Sequence, residues 1–124
     1  MANQPLKGSS RLRAAWRNSS AGLRDIWREE EAFRIELVVW LVSIPVAVVL
    51  GRDFAQSALL IAAGLILLIV EVLNSAIEAV VDRIGPERHE LSRKAKDLGS
   101  LAVLLATVLV ALLWGSALLG WLLG

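Results

Sequence analysis

Three apolar runs, at about 35–50, 54–70 and 98–123, fill most of the chain beyond residue 34. Each can cross a hydrocarbon layer about 30 Å thick, given some tilt or help at its ends. They predict an all-α membrane protein with three transmembrane helices. A composition that is 56% hydrophobic, with a mean hydropathy of +0.64, excludes a soluble domain of this size. The first run carries Glu36 at its start and Pro45 inside it, so a kink is expected at Pro45. No apolar run occurs in the first 30 residues, so a secretory signal peptide is not expected. The absence of cysteine excludes disulfides and thiol chemistry.

Charge sets an orientation. Lys7, Arg11, Arg13, Arg17, Arg24, Arg28 and Arg34 precede the first run, and Arg83, Arg88, Arg93, Lys94 and Lys96 lie between the second and third. Only Arg52 lies between the first and second, so twelve of thirteen basic residues fall on one side. The positive-inside rule puts the N-terminus and the second loop in the cytoplasm and the C-terminus outside. Trp114 and Trp121 then fall at an outer aromatic belt. The same distribution leaves no basic surface to explain by nucleic acid, and none is expected as a partner.

Residues 9–28 have the pattern of an amphipathic helix in the headgroup plane. Leu12, Trp16, Leu23, Ile26 and Trp27 form one stripe, with Arg13, Arg17, Arg24 and Arg28 beside it. Ser19, Ser20 and Gly22 are expected to divide it into two pieces. An anchor for anionic lipid is the plainer reading of this segment. Gly51 suits a helix end and Asp53 the next N-cap. Nothing breaks the second helix before Gly85-Pro86. The spans are placed at 30–50, 54–84 and 87–123, within a single membrane domain over 1–124.

The end of the second span carries the chemistry. Glu71, Asn74, Glu78 and Asp82 share one helix face, with Glu78 and Asp82 each returning to within about 20° of Glu71. Carboxylates beside hydrocarbon need a reaction, an ion or a buried partner. Apolar surroundings make Glu71 a better base than a free carboxylate. Glu30 and Glu78 could share a hard cation such as Mg²⁺, which also brings phosphate. Arg88, His89 and Lys96 could neutralise phosphate oxygens. These are the parts of phosphoryl transfer, without a Walker A or kinase glycine-rich loop. The structural alternative is that the carboxylates pair with cations across helices and hold an oligomer together. Taken singly, His89 reads as a solvated loop histidine, Glu29 and Glu31 as solvated flanks, and Arg34 with Glu36 as an interfacial pair.

The stretch Glu71-Val-Leu-Asn-Ser-Ala-Ile-Glu-Ala-Val-Val-Asp-Arg83 resembles the signature of the small bacterial integral-membrane diacylglycerol kinases, proteobacterial branch. The resemblance extends through Gly22-Leu23-Arg24, Glu30-x-Ala32-Phe33-Arg34-x-Glu36, His89-Glu90 and Lys96-Asp97-x-Gly99-Ser100. It implies an inner-membrane homotrimer with sites assembled between subunits. It implies Mg²⁺-dependent transfer of the ATP γ-phosphate to diacylglycerol, giving phosphatidic acid. By motif, Glu71 is the general base supported by Asn74, and Glu30 and Glu78 are the Mg²⁺ ligands. Arg11, Asn18, Glu30, Glu78, Glu87, Arg88, His89, Lys96 and Asp97 contact ATP. Arg11, Ala15, Trp16, Arg24, Trp27, Ala32, Phe33, Arg34, Glu36, Glu71, Ser100 and Trp114 line the lipid site.

The chain departs from the familiar pattern at Trp16, Asn18 and Ser20 of the surface helix, and at Arg88, where an aromatic residue is usual. These positions bear on lipid preference and on nucleotide contacts. Two other functions fit the same residues: an undecaprenol kinase sharing the motif core, and a non-enzymatic membrane scaffold or proton relay. The second would need cations at the depth of the carboxylates, and the second span offers none between Phe54 and Val70.

Overall fold

The computed structural model describes residues 5–124. It contains four helices: α1 (Ser9–Glu29), α2 (Glu31–Leu50), α3 (Phe54–Ile84) and α4 (Glu90–Leu123). Three of them, α2, α3 and α4, are long and apolar enough to cross a membrane. The chain divides into two compact units, residues 1–31 and 32–124.

The first unit is α1. It is continuous through Ser19, Ser20 and Gly22, against the expected break. The Ser20 hydroxyl donates to the Trp16 carbonyl one turn back (2.8 Å), so it folds onto the helix instead of competing with it. Arg28 in the last turn complements the helix dipole. Glu30 ends the helix in an extended conformation, its N–H donating to the Ile26 carbonyl (2.9 Å). It is the only non-helical residue between α1 and α2.

In the second unit, α2 passes through Pro45 without interruption. The turn into α3 is tightly specified. The Asp53 side chain accepts from the Gln56 N–H (2.8 Å), capping α3 as its identity predicts. The Ala47 carbonyl accepts from both the Gly51 N–H (2.9 Å) and the buried Ser57 hydroxyl (2.8 Å). Ala47, Leu60 and Ala117 form the buried centre at this end and bring all three spans together. Two indoles fasten α3 from its flanks. Trp40 of α2 donates to the Ile61 carbonyl (2.9 Å), and Trp114 of α4 to the Leu60 carbonyl (3.3 Å). The indole of Trp40 occupies the notch left by Gly64, where a Cβ would overlap its Cδ1.

The most extensive helix contact is between α3 and α4. α3 continues past its apolar part and ends at Gly85, whose φ of 152° suits glycine, before Pro86. The third span, expected from 87, begins at Glu90. His89 caps it, its ring nitrogen accepting from the Leu91 N–H (3.1 Å). The most apolar windows of the spans are only 11–17% buried, so each helix leaves a broad apolar face for lipid or another protein surface.

Candidate active site

The helical period from Glu71 to Asp82 places three half-buried side chains, Glu71, Asn74 and Glu78, along one side of α3, with Asp82 exposed beyond them. The Asn74 amide donates to Glu78 Oε1 (3.3 Å), fixing that carboxylate from one turn away. The Asn74 oxygen is buried with no donor among the described residues. It lies against Gly99 of α4.

Glu36 reaches the same region from α2. Its carboxyl stands beside that of Glu71. The Glu36 oxygen Oε2 is buried and has no donor among the described residues. Glu36 is also the sole charged residue lining an apolar cavity of about 330 Å³ between α2, α3 and α4, whose walls include Trp40, Gly64, Leu68, Val110 and Trp114. A carboxyl pair thus stands at the mouth of an apolar slot.

The other end of the α3 stripe opens on a cleft of about 690 Å³ in the crook between α3 and α4. Asp82, Glu87, Arg88, His89, Glu90, Arg93 and Lys96 line it, with Gly85, Pro86 and Ser92. Its size is that of a small-ligand site. Lys96 bridges the helices, donating to Asp82 Oδ1 (2.8 Å). Arg93 pairs with Glu90 on one side and with Asp97 (2.6 Å) on the other. All these partners are well exposed, so the pairs are weak and available for exchange. Sequence reading did not single out Arg93, for which only the basic character of the loop gave a hint.

Of the residues predicted for the nucleotide, Glu87, Arg88, His89 and Lys96 come together around this cleft, whereas Asp97 is turned to Arg93 and does not line it. Of those predicted for lipid, Glu36 and Trp114 line the apolar slot, Phe33 is buried, Ala32 and Ser100 are exposed, and Arg34 is half-buried. Arg11, Ala15, Trp16, Asn18, Arg24 and Trp27 belong to α1, the first unit, where Arg11, Ala15 and Asn18 share one face and Trp16 and Trp27 another. Glu30 is the extended residue that ends that unit's helix.

Among the described residues, no three acidic or histidine side chains come close enough to hold a metal ion alone. Glu78 has oxygen lone pairs beyond the one accepting from Asn74, and hard cations such as Mg²⁺ are commonly held by one or two carboxylates plus phosphate and water. The donor set therefore suits Mg²⁺ arriving with phosphate, and does not suit a resident ion in an all-protein cage.

The family model for prokaryotic diacylglycerol kinase matches residues 17–118. The chain is 49% identical over 107 residues to the diacylglycerol kinase of Escherichia coli K12, covering 86% of this chain and 88% of that one. It is 45% identical over 123 residues to the diacylglycerol kinase of Pseudomonas aeruginosa, covering 97% and 100%. To that of Haemophilus influenzae it is 41% identical over 111 residues, covering 90% and 94%.

Proposed function

The chain belongs to the prokaryotic diacylglycerol kinase family, and from that premise we propose that it transfers the γ-phosphate of ATP to the free hydroxyl of diacylglycerol at the cytoplasmic face of the inner membrane. The observation that carries the reading is the junction of two unlike sites along one side of α3. A carboxyl pair at the mouth of an apolar slot lies at one end, and a cleft lined by Arg88, His89, Arg93 and Lys96 at the other. A lipid alcohol needs the first and a polyphosphate the second.

In this mechanism the acyl chains stay in hydrocarbon and the glycerol hydroxyl reaches Glu71. Glu71 acts as base and takes the hydroxyl proton as the oxygen attacks the γ-phosphorus. The bond from that phosphorus to the β-bridging oxygen breaks, giving phosphatidic acid and ADP. Arg88, His89 and Lys96 hold the polyphosphate, Lys96 exchanging Asp82 for phosphate oxygen. Glu30 and Glu78 would hold Mg²⁺, which when bound neutralises charge on the β- and γ-phosphates. Asn74 orients Glu78 for that task.

Glu30 and the lipid-facing residues of α1 belong to the first unit, and the spans leave most of their apolar surface open. A homotrimer with sites completed between subunits supplies both the cover and the missing ligands. The charge distribution orients it with a cytoplasmic N-terminus and a periplasmic C-terminus.

The test is phosphate transfer from labelled ATP with Mg²⁺ in mixed micelles holding equal diacylglycerol and undecaprenol, for the native chain and Glu71→Gln. Phosphatidic acid from the native chain, with loss in folded, oligomeric Glu71→Gln, is expected. Polyprenyl phosphate as the main product would reassign the acceptor. No product from either lipid would sink the catalytic reading and leave the carboxylates as a structural or proton-handling device.

A further inference from the structure

Gly99 lies on α4 directly opposite Asn74 of α3. It is buried, one of three such residues on α4. A Cβ built there would overlap the Asn74 oxygen outright and lie 3.2 Å from Asn74 Cγ. No rotation of a remote flexible tip relieves this, because the obstructing atoms are the head of a short side chain whose other end is engaged. The Asn74 nitrogen donates to Glu78 Oε1 (3.3 Å), while its oxygen is buried without an N–H or O–H donor among the described residues. A free amide would turn its oxygen toward a donor. This one is kept with the oxygen against bare backbone and the nitrogen toward Glu78, an arrangement supported by contact with a surface that carries no side chain. Carbon-bound hydrogens of glycine make weak contacts to such oxygens.

We propose that Gly99 is a positioning residue for the phosphoryl-transfer site: the absence of a side chain there sets the Asn74 amide, and through it the Glu78 carboxylate. This rests on the kinase reading above. Its chemistry belongs to packing, since glycine contacts neither substrate. A methyl group at residue 99 drives Asn74 off α4, and the Glu78 oxygen loses its donor or moves with it. The nucleotide side of the reaction is then disturbed, while the apolar slot, walled by Trp40, Gly64 and Val110, is not.

Two other glycines of the same helix make the control. Gly115 and Gly120 have open space where a Cβ would go. Alanine in a helix is intrinsically better than glycine, so Gly115→Ala and Gly120→Ala are expected to keep native kinetics and equal or higher thermal stability. Gly99→Ala is expected to lower kcat roughly ten- to a hundredfold, as loss of an outer-shell partner does. It should also raise KM for Mg·ATP and leave KM for diacylglycerol unchanged. A merely unfolded fraction would lower the apparent kcat and move neither KM. Mg·ADP affinity, measured by calorimetry on the folded oligomer, should weaken in Gly99→Ala alone.

Native kcat, KM and Mg·ADP affinity in Gly99→Ala would overturn the proposal. So would a loss of activity that follows the loss of folded protein with both KM values native. A native chain that makes no phosphatidic acid would instead defeat the kinase reading itself, and the calorimetry would still report whether Gly99 sets a nucleotide site.

Discussion

Trp40 offers the sharpest test of how the spans are held together. Its indole does two things: it fills the notch at Gly64, and it donates to the Ile61 carbonyl (2.9 Å). These contributions separate by substitution. Ile61 lies in the uninterrupted middle of α3, so its carbonyl keeps its helical partner when the indole N–H is removed. Trp40→Phe therefore orphans nothing and loses only a second hydrogen bond. Interhelical hydrogen bonds in membranes average about 0.6 kcal/mol and reach about 1.7, so a loss of about 0.5–1 kcal/mol is expected. Trp40→Ala also empties the notch. A fully buried Trp→Ala change costs about 3–5 kcal/mol. Trp40 is half-buried and borders an existing cavity, which brings the expectation to roughly 2 kcal/mol, still well above the phenylalanine variant. Unfolding by SDS titration in mixed micelles, followed by near-UV circular dichroism, measures both. Gly64→Ala completes a cycle: it should destabilise the native chain, where its methyl meets the indole, and be harmless with Trp40→Ala. Equal losses for Trp40→Phe and Trp40→Ala would refute the claim that packing dominates. A neutral Trp40→Ala would refute the α2–α3 contact as a determinant of stability.

Asp82→Asn distinguishes two roles for that carboxylate. As a partner of Lys96, both being well exposed, it contributes little, so freeing Lys96 should lower KM for ATP by no more than about fivefold; a drop in kcat beyond tenfold would make Asp82 part of the site. Asn74→Asp removes the donor to Glu78 and adds a like charge one turn away; activity should fall roughly 10–100-fold with little change in melting temperature, and native kinetics would remove Asn74 from the mechanism. Gly51→Ala should destabilise by about 1–3 kcal/mol, because its Cβ would meet the Ser57 hydroxyl and lie 2.9 Å from the Ser57 nitrogen; a thermal melt no lower than that of Gly120→Ala would contradict it.

What the sequence made legible is what depends on one helix at a time. The apolar runs locate the spans. Asp53 caps α3 by a contact three residues away, and Gly85-Pro86 ends it by backbone chemistry alone. The stripe from Glu71 to Asp82 needs only the helical period. What it concealed depends on the register between helices. Glu36 meets Glu71 across 35 residues of chain, and composition reads that pair as two separate interfacial charges. Trp114, expected to face lipid, also spends its N–H on a carbonyl of α3, 54 residues away. Gly99 looks like an ordinary helical glycine until Asn74 is seen opposite. The continuity of α1 was concealed for a local reason: serine disfavours helix interiors by competing for backbone, and Ser20 satisfies itself within the helix.

In the proposed reaction, the distribution of hydrogen-bonding groups along α3 fits one helix to two unlike substrates. At the end nearer the hydrocarbon, the polar atoms are almost all acceptors: the two carboxyls of Glu36 and Glu71, the Asn74 oxygen and Glu78. Glu36 Oε2 and Asn74 Oδ1 are buried without donors among the described residues. Such atoms are costly in apolar surroundings unless a donor or a cation arrives. A lipid alcohol brings a donor and a metal–phosphate complex brings a cation, so the vacancies of this end match what the reaction delivers. Two turns further along, the polarity is mixed and mobile: Arg88, His89, Arg93 and Lys96 face Asp82, Glu87 and Glu90 across an open cleft. The exposed pairs there hold the cations in place at little energetic depth, so phosphate oxygens can replace the carboxylates. The boundary between the two regimes runs through Asn74 and Glu78, one donating to the other. That boundary lies against Gly99 of α4, and in the proposed reaction it is there that the transferring phosphate would meet a fixed wall on a helix otherwise largely open to its surroundings.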